Sequence, residues 1–318
     1  MSLRILGLGH STPALSVSND DLAEIMDTSD AWIRSRTGIG SRHLSRGESL
    51  TDLSAAAARM ALERARVKPE ELDYILCTTI QGDYITPSLA CLVQRELGCT
   101  CPAYDINAAC TGFIYGLDAA DAYLRAGKAQ RILLVSSEMM SRHLDWSDRA
   151  TCVLFGDGAG AAVLGKGENL LAIALTARGM AEPLNIPAGP NKNPYYPQAV
   201  ETPPVLAMQG GEVFKFAVTQ MTADCRKVME QAGLTATDFS KFVPHQANAR
   251  IIHAAMKNLG FTEEQTAMNI ERYGNTSSAT VPILLSELME AGEIKRGDLL
   301  LLAAMGGGLT SGACVIKL

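Results

Sequence analysis

The stretch Asp105–Gly127, DINAACTGFIYGLDAADAYLRAG, passes from a short extended run into a helix. From Phe113 onward, Gly116, Leu117, Ala120, Tyr123 and Leu124 recur at helical spacing, which predicts a helix over 112–126. Gly127 closes it as a C-cap glycine should. Cys110 falls at the joint, between two alanines and a Thr-Gly pair.

On either side, strand-length apolar runs alternate with helical patterns. YILCTTI at 74–80 comes before a helix at 88–97, and RILLVSS at 131–137 and AGAAVLG at 159–165 follow the central helix. This alternation predicts an α/β protein. The second half repeats the order, with helices at 212–232, 247–259 and 278–291 between the runs KFVPH, AMNI, DLLLLAAM and GACVIKL. Ile75 and Val243 stand 168 residues apart, Cys110 and Asn275 165, Ile132 and Leu299 167, and Gly160 and Gly312 152. The expectation is an internal duplication, with halves at 1–166 and 167–318. On this spacing Asn275 takes the place in the second half that Cys110 holds in the first. The Pro- and Asn-rich stretch NIPAGPNKNPYYPQAVETPPVL, 185–206, reads as a long surface loop or flap.

Composition narrows the function. The 318 residues are 47% apolar and 19% charged with a net charge of −6, which argues against a general nucleic-acid footprint. Eight cysteines without a CxxC pair read as reduced thiols of a cytosolic protein. The opening MSLRILGLGHSTP is too short and too polar for a signal peptide, and LLLLAAMGGGL at 299–309 is about half a membrane span. A cytoplasmic chain without membrane attachment is expected.

Three side chains and two turns bear chemistry. Cys110 is either a buried core thiol or a nucleophile whose pKa the helix start lowers. His245, in VPHQAN, is either a hydrogen-bonded structural residue or a catalyst, and Asn275, in RYGNTSSA, suits a turn and N-cap as well as a donor to substrate. FGDGAGA at 155–161 and GGGLTSG at 306–312 enter strands and match neither GxGxxG nor the Walker pattern. They suit close backbone approach to substrate or to another element. Taken together, a thiolate can accept an acyl group, backbone amides can hold an oxyanion, and His plus Asn can donate to a second carbonyl.

DINAACTGF, FGDGAGAAVL, VPHQANARII, RYGNTSSA and GGGLTSG, together with TSDAWIRSRTGI at 28–39, resemble the β-ketoacyl-acyl carrier protein synthase III family over essentially the whole chain. The resemblance implies a thiolase-type fold, two duplicated α/β halves in a five-layered αβαβα arrangement, working as a homodimer. It also implies condensation of an acyl-CoA with malonyl-acyl carrier protein, with no metal and no cofactor beyond the CoA thioester as substrate. By the same resemblance Cys110 takes the acyl group, the amides of Cys110 and Gly307 form the oxyanion hole, and His245 and Asn275 hydrogen-bond the malonyl thioester. Trp32 and Arg149 sandwich adenine, and Arg36 lies near the CoA phosphates. Phe214 and Gly210 border the substrate path, and Thr86 lies at the dimer edge of the acyl pocket. Arg250, Lys215 and Lys257 dock the carrier protein.

Leu309 and Ser311 stand where the family motif carries phenylalanine and tryptophan, and Gly211 where asparagine is frequent. These departures, with the small Thr86, lead to the expectation of a reshaped pocket and a primer broader than acetyl. The rival readings are a thiolase-fold enzyme of polyketide or quinolone-type metabolism, a papain-like cysteine hydrolase, and a non-catalytic partner subunit.

Overall fold

The computed structural model describes residues 2–188, 194–195 and 204–318. Up to residue 167 the strands are β1 (Ser2–Ser11), β2 (Leu15–Ser18), β3 (Ser41–Leu44), β4 (Tyr74–Thr78), β5 (Ala103–Ile106), β6 (Arg131–Met139) and β7 (Asp157–Gly167). Their helices are α1 (Asn19–Ala23), α2 (Asp30–Thr37), α3 (Leu50–Ala65), α4 (Leu89–Leu97) and α5 (Gly112–Arg125). Then come β8 (Leu170–Met180), β9 (Leu184–Asn185), β10 (Ala207–Met208), β11 (Lys241–Pro244), β12 (Leu299–Gly306) and β13 (Gly308–Lys317). Their helices are α6 (Gly210–Ala232), α7 (Ala249–Leu259), α8 (Ile270–Tyr273) and α9 (Thr280–Glu290).

The larger sheets run β1-β7-β6-β4-β5 and β8-β13-β12-β11. In both, one pair is parallel (β4 with β6, β11 with β12) and the next two pairings, through β7 and β1 or through β13 and β8, are antiparallel. Strand alternation sorts side chains into layers. Leu76, Leu134 and Leu164 of the first sheet and Leu300, Leu302 and Ile316 of the second meet Phe113, Leu117 and Leu284 of α5 and α9 in one buried core. The intervening residues face outward: Ile75, Leu133 and Val163 pack on α3 and α4, and Leu301, Ala303 and Val315 on α6 and α7. The stacking is α3/α4, sheet, α5/α9, sheet, α6/α7, the five layers of a thiolase-type fold. Each large apolar side chain buried in these layers contributes about 1.5–3 kcal/mol.

The register between the halves corrects one expectation. A 3-10 turn at Ala109–Thr111 leads into α5, and a second at Ser277–Ala279 leads into α9. Ala109 and Ser277 share a left-handed backbone, φ 48° and 52°. Cys110 therefore matches Ser278, and Asn275 matches Asn107. AMNI, 267–270, forms no strand: an isolated bridge, Thr266 to Phe242, stands just before it, and Gln246 Oε1 accepts the N–H groups of Asn269 and Ile270 where the chain turns into α8. The loop or flap expected at 185–206 lies mostly outside the described residues; β9 and β10, which flank it, pair antiparallel.

β2, β3, α1 and α2 form an insertion seated on buried Arg42. Its guanidinium donates to Asn19 Oδ1 (2.8 Å) and to the carbonyls of Val153 (2.9 Å) and Val17 (3.2 Å). Ser29 caps α2 by accepting the Trp32 N–H at 3.2 Å, which fixes where Trp32 stands.

Candidate active site

A cleft of about 1410 Å³ opens between the halves, and Cys110, His245, Asn275 and Gly307 all line it. Ordinary ligand pockets run to roughly 300–1,000 Å³, so this one has room for an extended substrate.

Cys110 is held from two sides. Asn107 Oδ1 accepts the Ala109 N–H (3.2 Å), fixing the turn. Thr310 Oγ1 donates to the Ala108 carbonyl (3.1 Å), lies 3.0 Å from the Gly307 carbonyl and 3.0 Å from Thr111 Oγ1, and so ties the cysteine turn to GGGLTSG. The backbones touch: a Cβ at Gly306 would sit 2.6 Å from the Cys110 nitrogen, so this position requires glycine. FGDGAGA serves as an anchor in the same way. Asn275 N–H donates to the Leu154 carbonyl (2.9 Å), Gly156 N–H donates back to the Asn275 carbonyl (3.1 Å), and a Cβ at Gly156 would lie 2.4 Å from the Tyr273 carbonyl.

The thiol contradicts the lowered pKa expected at a helix start. Cys110 lies within the 3-10 turn that leads into α5, and burial pushes its thiol up to about 12. The charge of Glu138 adds to the rise, while the Ser277 hydroxyl, 3.3 Å from the sulfur, and the Cys110 amide oppose it. The resting group is a thiol and needs a base.

His245 directly follows β11, buried, with its N–H on the Ala303 carbonyl (2.7 Å). Burial lowers its pKa to about 3, so the ring is neutral. Its Nδ1 lies 2.6 Å from Thr280 Oγ1, which is also 3.1 Å from the Ser277 carbonyl. When Thr280 donates to Nδ1, Nε2 carries the ring proton. Asn275 Oδ1 accepts the Ser277 N–H (2.8 Å), which leaves the Nδ2 amide to meet a ligand.

Toward the mouth, Trp32, Arg36, Gly210 and Phe214 line the cleft. Arg36 and Arg149 both lie over the Trp32 ring, at 4.6 and 5.1 Å. Arg250 lies 5.7 Å over the ring of Phe214, putting its charge at the rim. Lys215 on α6 and Lys257 on α7 are exposed, and Arg250 and Lys257, seven residues apart, share one face of α7.

Thr86 is exposed, next to Tyr84 and Ile85 of the cleft wall. Two expectations about the acyl pocket are corrected. Ser311 is buried on β13 and donates to Asp224 Oδ2, and Leu309 packs in the core under α6 and α7. Strand alternation turns both away from the cleft, so neither departure reshapes the acyl site. Gly211 is exposed, with open space around its Cα. The sequence reading missed Glu138, Ser277, Thr280 and Thr310; Ser277 and Thr280 lie inside or beside RYGNTSSA, but nothing in a single sequence marks Glu138.

A cysteine beside paired donors, in a cleft between two like α/β halves, suits carbon–carbon bond formation on a sulfur-held acyl group, the work of thiolase-fold condensing acyltransferases. Family models described as 3-oxoacyl-(acyl-carrier-protein) synthase III match residues 104–179 and, for its C-terminal part, 229–318. The chain belongs to the 3-oxoacyl-(acyl-carrier-protein) synthase III family. The relative from Clostridium acetobutylicum is 43% identical over 99% of this chain and 98% of its own, and that from Aquifex aeolicus 43% over the full length of both. The solved Aquifex aeolicus enzyme superposes with a TM-score of 0.92, covering 99% of this chain and 100% of that one. The priming β-ketosynthase of the R1128 polyketide pathway superposes at 0.93 with 34% identity, covering 100% and 96%.

Proposed function

We propose that the chain joins an acyl-CoA primer to malonyl-acyl carrier protein, releasing CoA and CO2 and giving a 3-oxoacyl-carrier protein, the first condensation of fatty acid synthesis. The observation that carries this reading is the convergence of Cys110, His245, Asn275 and Gly307 on one cleft. Cys110 Sγ attacks the primer thioester, and the amides of Cys110 and Gly307 hold the oxyanion. Nε2–H of His245 and Nδ2–H of Asn275 then donate to the malonyl thioester carbonyl. Electrons released with CO2 collect on that oxygen as an enolate, whose carbon attacks the acyl-Cys110. This chemistry draws on no metal and no cofactor beyond the CoA thioester.

Trp32 with Arg149 receives adenine and Arg36 the phosphates, while Gly210 and Phe214 flank the pantetheine arm. Arg250, Lys215 and Lys257 steer an acidic carrier protein, on a chain whose net charge is −6. We take the protein to be a cytoplasmic homodimer. Tyr84 and Ile85, 59% and 93% exposed beside Thr86, support a second copy closing that edge. The matching order of four strands in the two sheets, β1-β7-β6-β4 and β8-β13-β12-β11, supports descent by duplication, with halves 1–166 and 167–318. Among the described residues no helix is long and apolar enough to cross a membrane.

The superposition on the R1128 priming enzyme favours a second reading, priming of a specialised pathway. A condensation assay offering malonyl-carrier protein and malonyl-CoA side by side, across acyl-CoAs of increasing length, separates the two. Use of malonyl-carrier protein with a short primer supports the first reading. Exclusive use of malonyl-CoA, or of a primer that fatty acid synthesis does not use, supports the second.

A further inference from the structure

Glu138, near the end of β6, is wholly buried, and among the described residues no cation bonds to it. Acidic side chains are almost never fully buried unless paired. Its partners are four neutral donors. Oε1 accepts from Ser278 Oγ (2.8 Å) and Ser277 Oγ (3.2 Å), and Oε2 from the Ile80 N–H (3.1 Å) and Thr79 Oγ1 (3.3 Å). Ser277 Oγ is also 3.3 Å from Cys110 Sγ, so one hydroxyl spans the nucleophile and a buried carboxylate. Ser277 takes a φ of 52°, a backbone conformation uncommon for serine.

We propose that Glu138, acting through the Ser277 hydroxyl, takes the Cys110 proton as the acyl group is loaded and returns it when the product leaves. The proposal rests on the reading of Cys110 as nucleophile. As Sγ bonds the primer carbonyl, the S–H proton passes to Ser277 Oγ and the Ser277 proton to Glu138 Oε1. The carbon–sulfur bond to CoA then breaks, and the CoA thiolate leaves to be protonated by solvent, the one proton the overall reaction consumes. The acyl-enzyme thus stands beside a neutral carboxylic acid, and no buried negative charge opposes the enolate formed on decarboxylation. When the new carbon–carbon bond forms and Cys110 is expelled as thiolate, the same path returns the proton, restoring thiol and carboxylate.

The neighbouring groups support this assignment. Burial places Glu138 at about 7, near the value a base needs at neutral pH, whereas His245 at about 3 is a poor acceptor. Asp157 on β7 is bonded to Ser45 and Ser141, Arg142 to Asp83, and His245 to Thr280, so these groups are engaged away from Glu138. Cys110 is the titratable group that Ser277 joins to it.

The test is single-turnover acylation of Cys110, read by intact mass from pH 5.5 to 9, in wild type, Glu138→Gln and Ser277→Ala, with thermal melts as controls. Ala109, at φ 48°, shows that alanine is accepted in that backbone, so Ser277→Ala keeps the test open should Glu138→Gln fail to fold. Wild type should show a rate limb near pH 7. Both folded variants should lose the limb and slow by about 10²-fold or more at pH 8, the usual scale of general acid–base catalysis. Infrared difference spectra on acylation should show a protonated carboxyl band in wild type and none in Glu138→Gln. A folded variant that keeps the limb and acylates within threefold of wild type overturns the relay alone. A wild-type protein never acylated at Cys110 overturns the nucleophile reading and the relay together.

Discussion

Asn107 and Asn275 do the same job in the two halves: each side-chain oxygen accepts the N–H two residues on, Ala109 at 3.2 Å and Ser277 at 2.8 Å. In each half the chain then makes one left-handed residue and enters a central helix. One half spends the next position on Cys110 and the other on Ser278, so the nucleophile and its donors come from non-equivalent places in one repeated turn.

Replacing Asn275 or His245 with alanine should leave Cys110 acylation intact and slow malonyl decarboxylation. Loss of one donor to a developing oxyanion costs about 10²–10³ in rate. Carbon dioxide release measured on enzyme already acylated separates the two steps. Equal loss in both steps would contradict the division of roles.

Trp32→Ala removes the ring that Arg36 and Arg149 cover at 4.6 and 5.1 Å. An exposed cation–π contact is worth about 0.5–1 kcal/mol, and stacking on adenine adds to it, so KM for acyl-CoA should rise several-fold with kcat unchanged. A fall in kcat at unchanged KM would remove Trp32 from CoA binding.

Stability should depend on pH through two buried groups of opposite sign. His245 is lowered from 6.5 to about 3, so its contribution is present above pH 6.5 and lost as pH falls toward 3. Glu138 is raised from 4.5 to about 7, so its contribution is present below pH 4.5 and lost as pH rises through 7. The two slopes oppose each other between pH 4.5 and 6.5. In that window thermal melts of His245→Asn should fall with rising pH and those of Glu138→Gln should rise; parallel curves would contradict the assignment.

Ser311→Trp would restore the residue that the family motif carries, yet here the position is filled. Ser311 is wholly buried and donates to the buried Asp224 carboxylate. Overpacking costs about 1–3 kcal/mol, and loss of a donor to a charge adds to it. The variant should melt several degrees lower without a change in primer preference, and a shift in primer chain length would return Ser311 to the acyl pocket.

Much of this molecule is legible in the sequence because its layers obey simple periods. Unbroken apolar runs such as RILLVSS predict strands buried on both faces, and Phe113–Leu124 carries the helical period of the central layer. The repeat was visible too, but its register slipped by three residues. The spacing of the repeat pairs Cys110 with Asn275, whereas the backbone turn pairs Cys110 with Ser278. A departure from a family motif does not say which face of its strand a residue takes, so Ser311 and Leu309, expected at the acyl pocket, lie on the face toward α6. Glu138 was out of reach for a different reason: its partners Thr79, Ile80, Ser277 and Ser278 come from distant segments that meet only in the folded chain.

The central claim is that Cys110 carries the primer. Acyl-CoA should add one acyl mass to the peptide holding Cys110, malonyl-carrier protein should discharge it as 3-oxoacyl-carrier protein, and Cys110→Ala should do neither while melting normally. Condensation retained by Cys110→Ala, or an acyl group found on another residue, would contradict it.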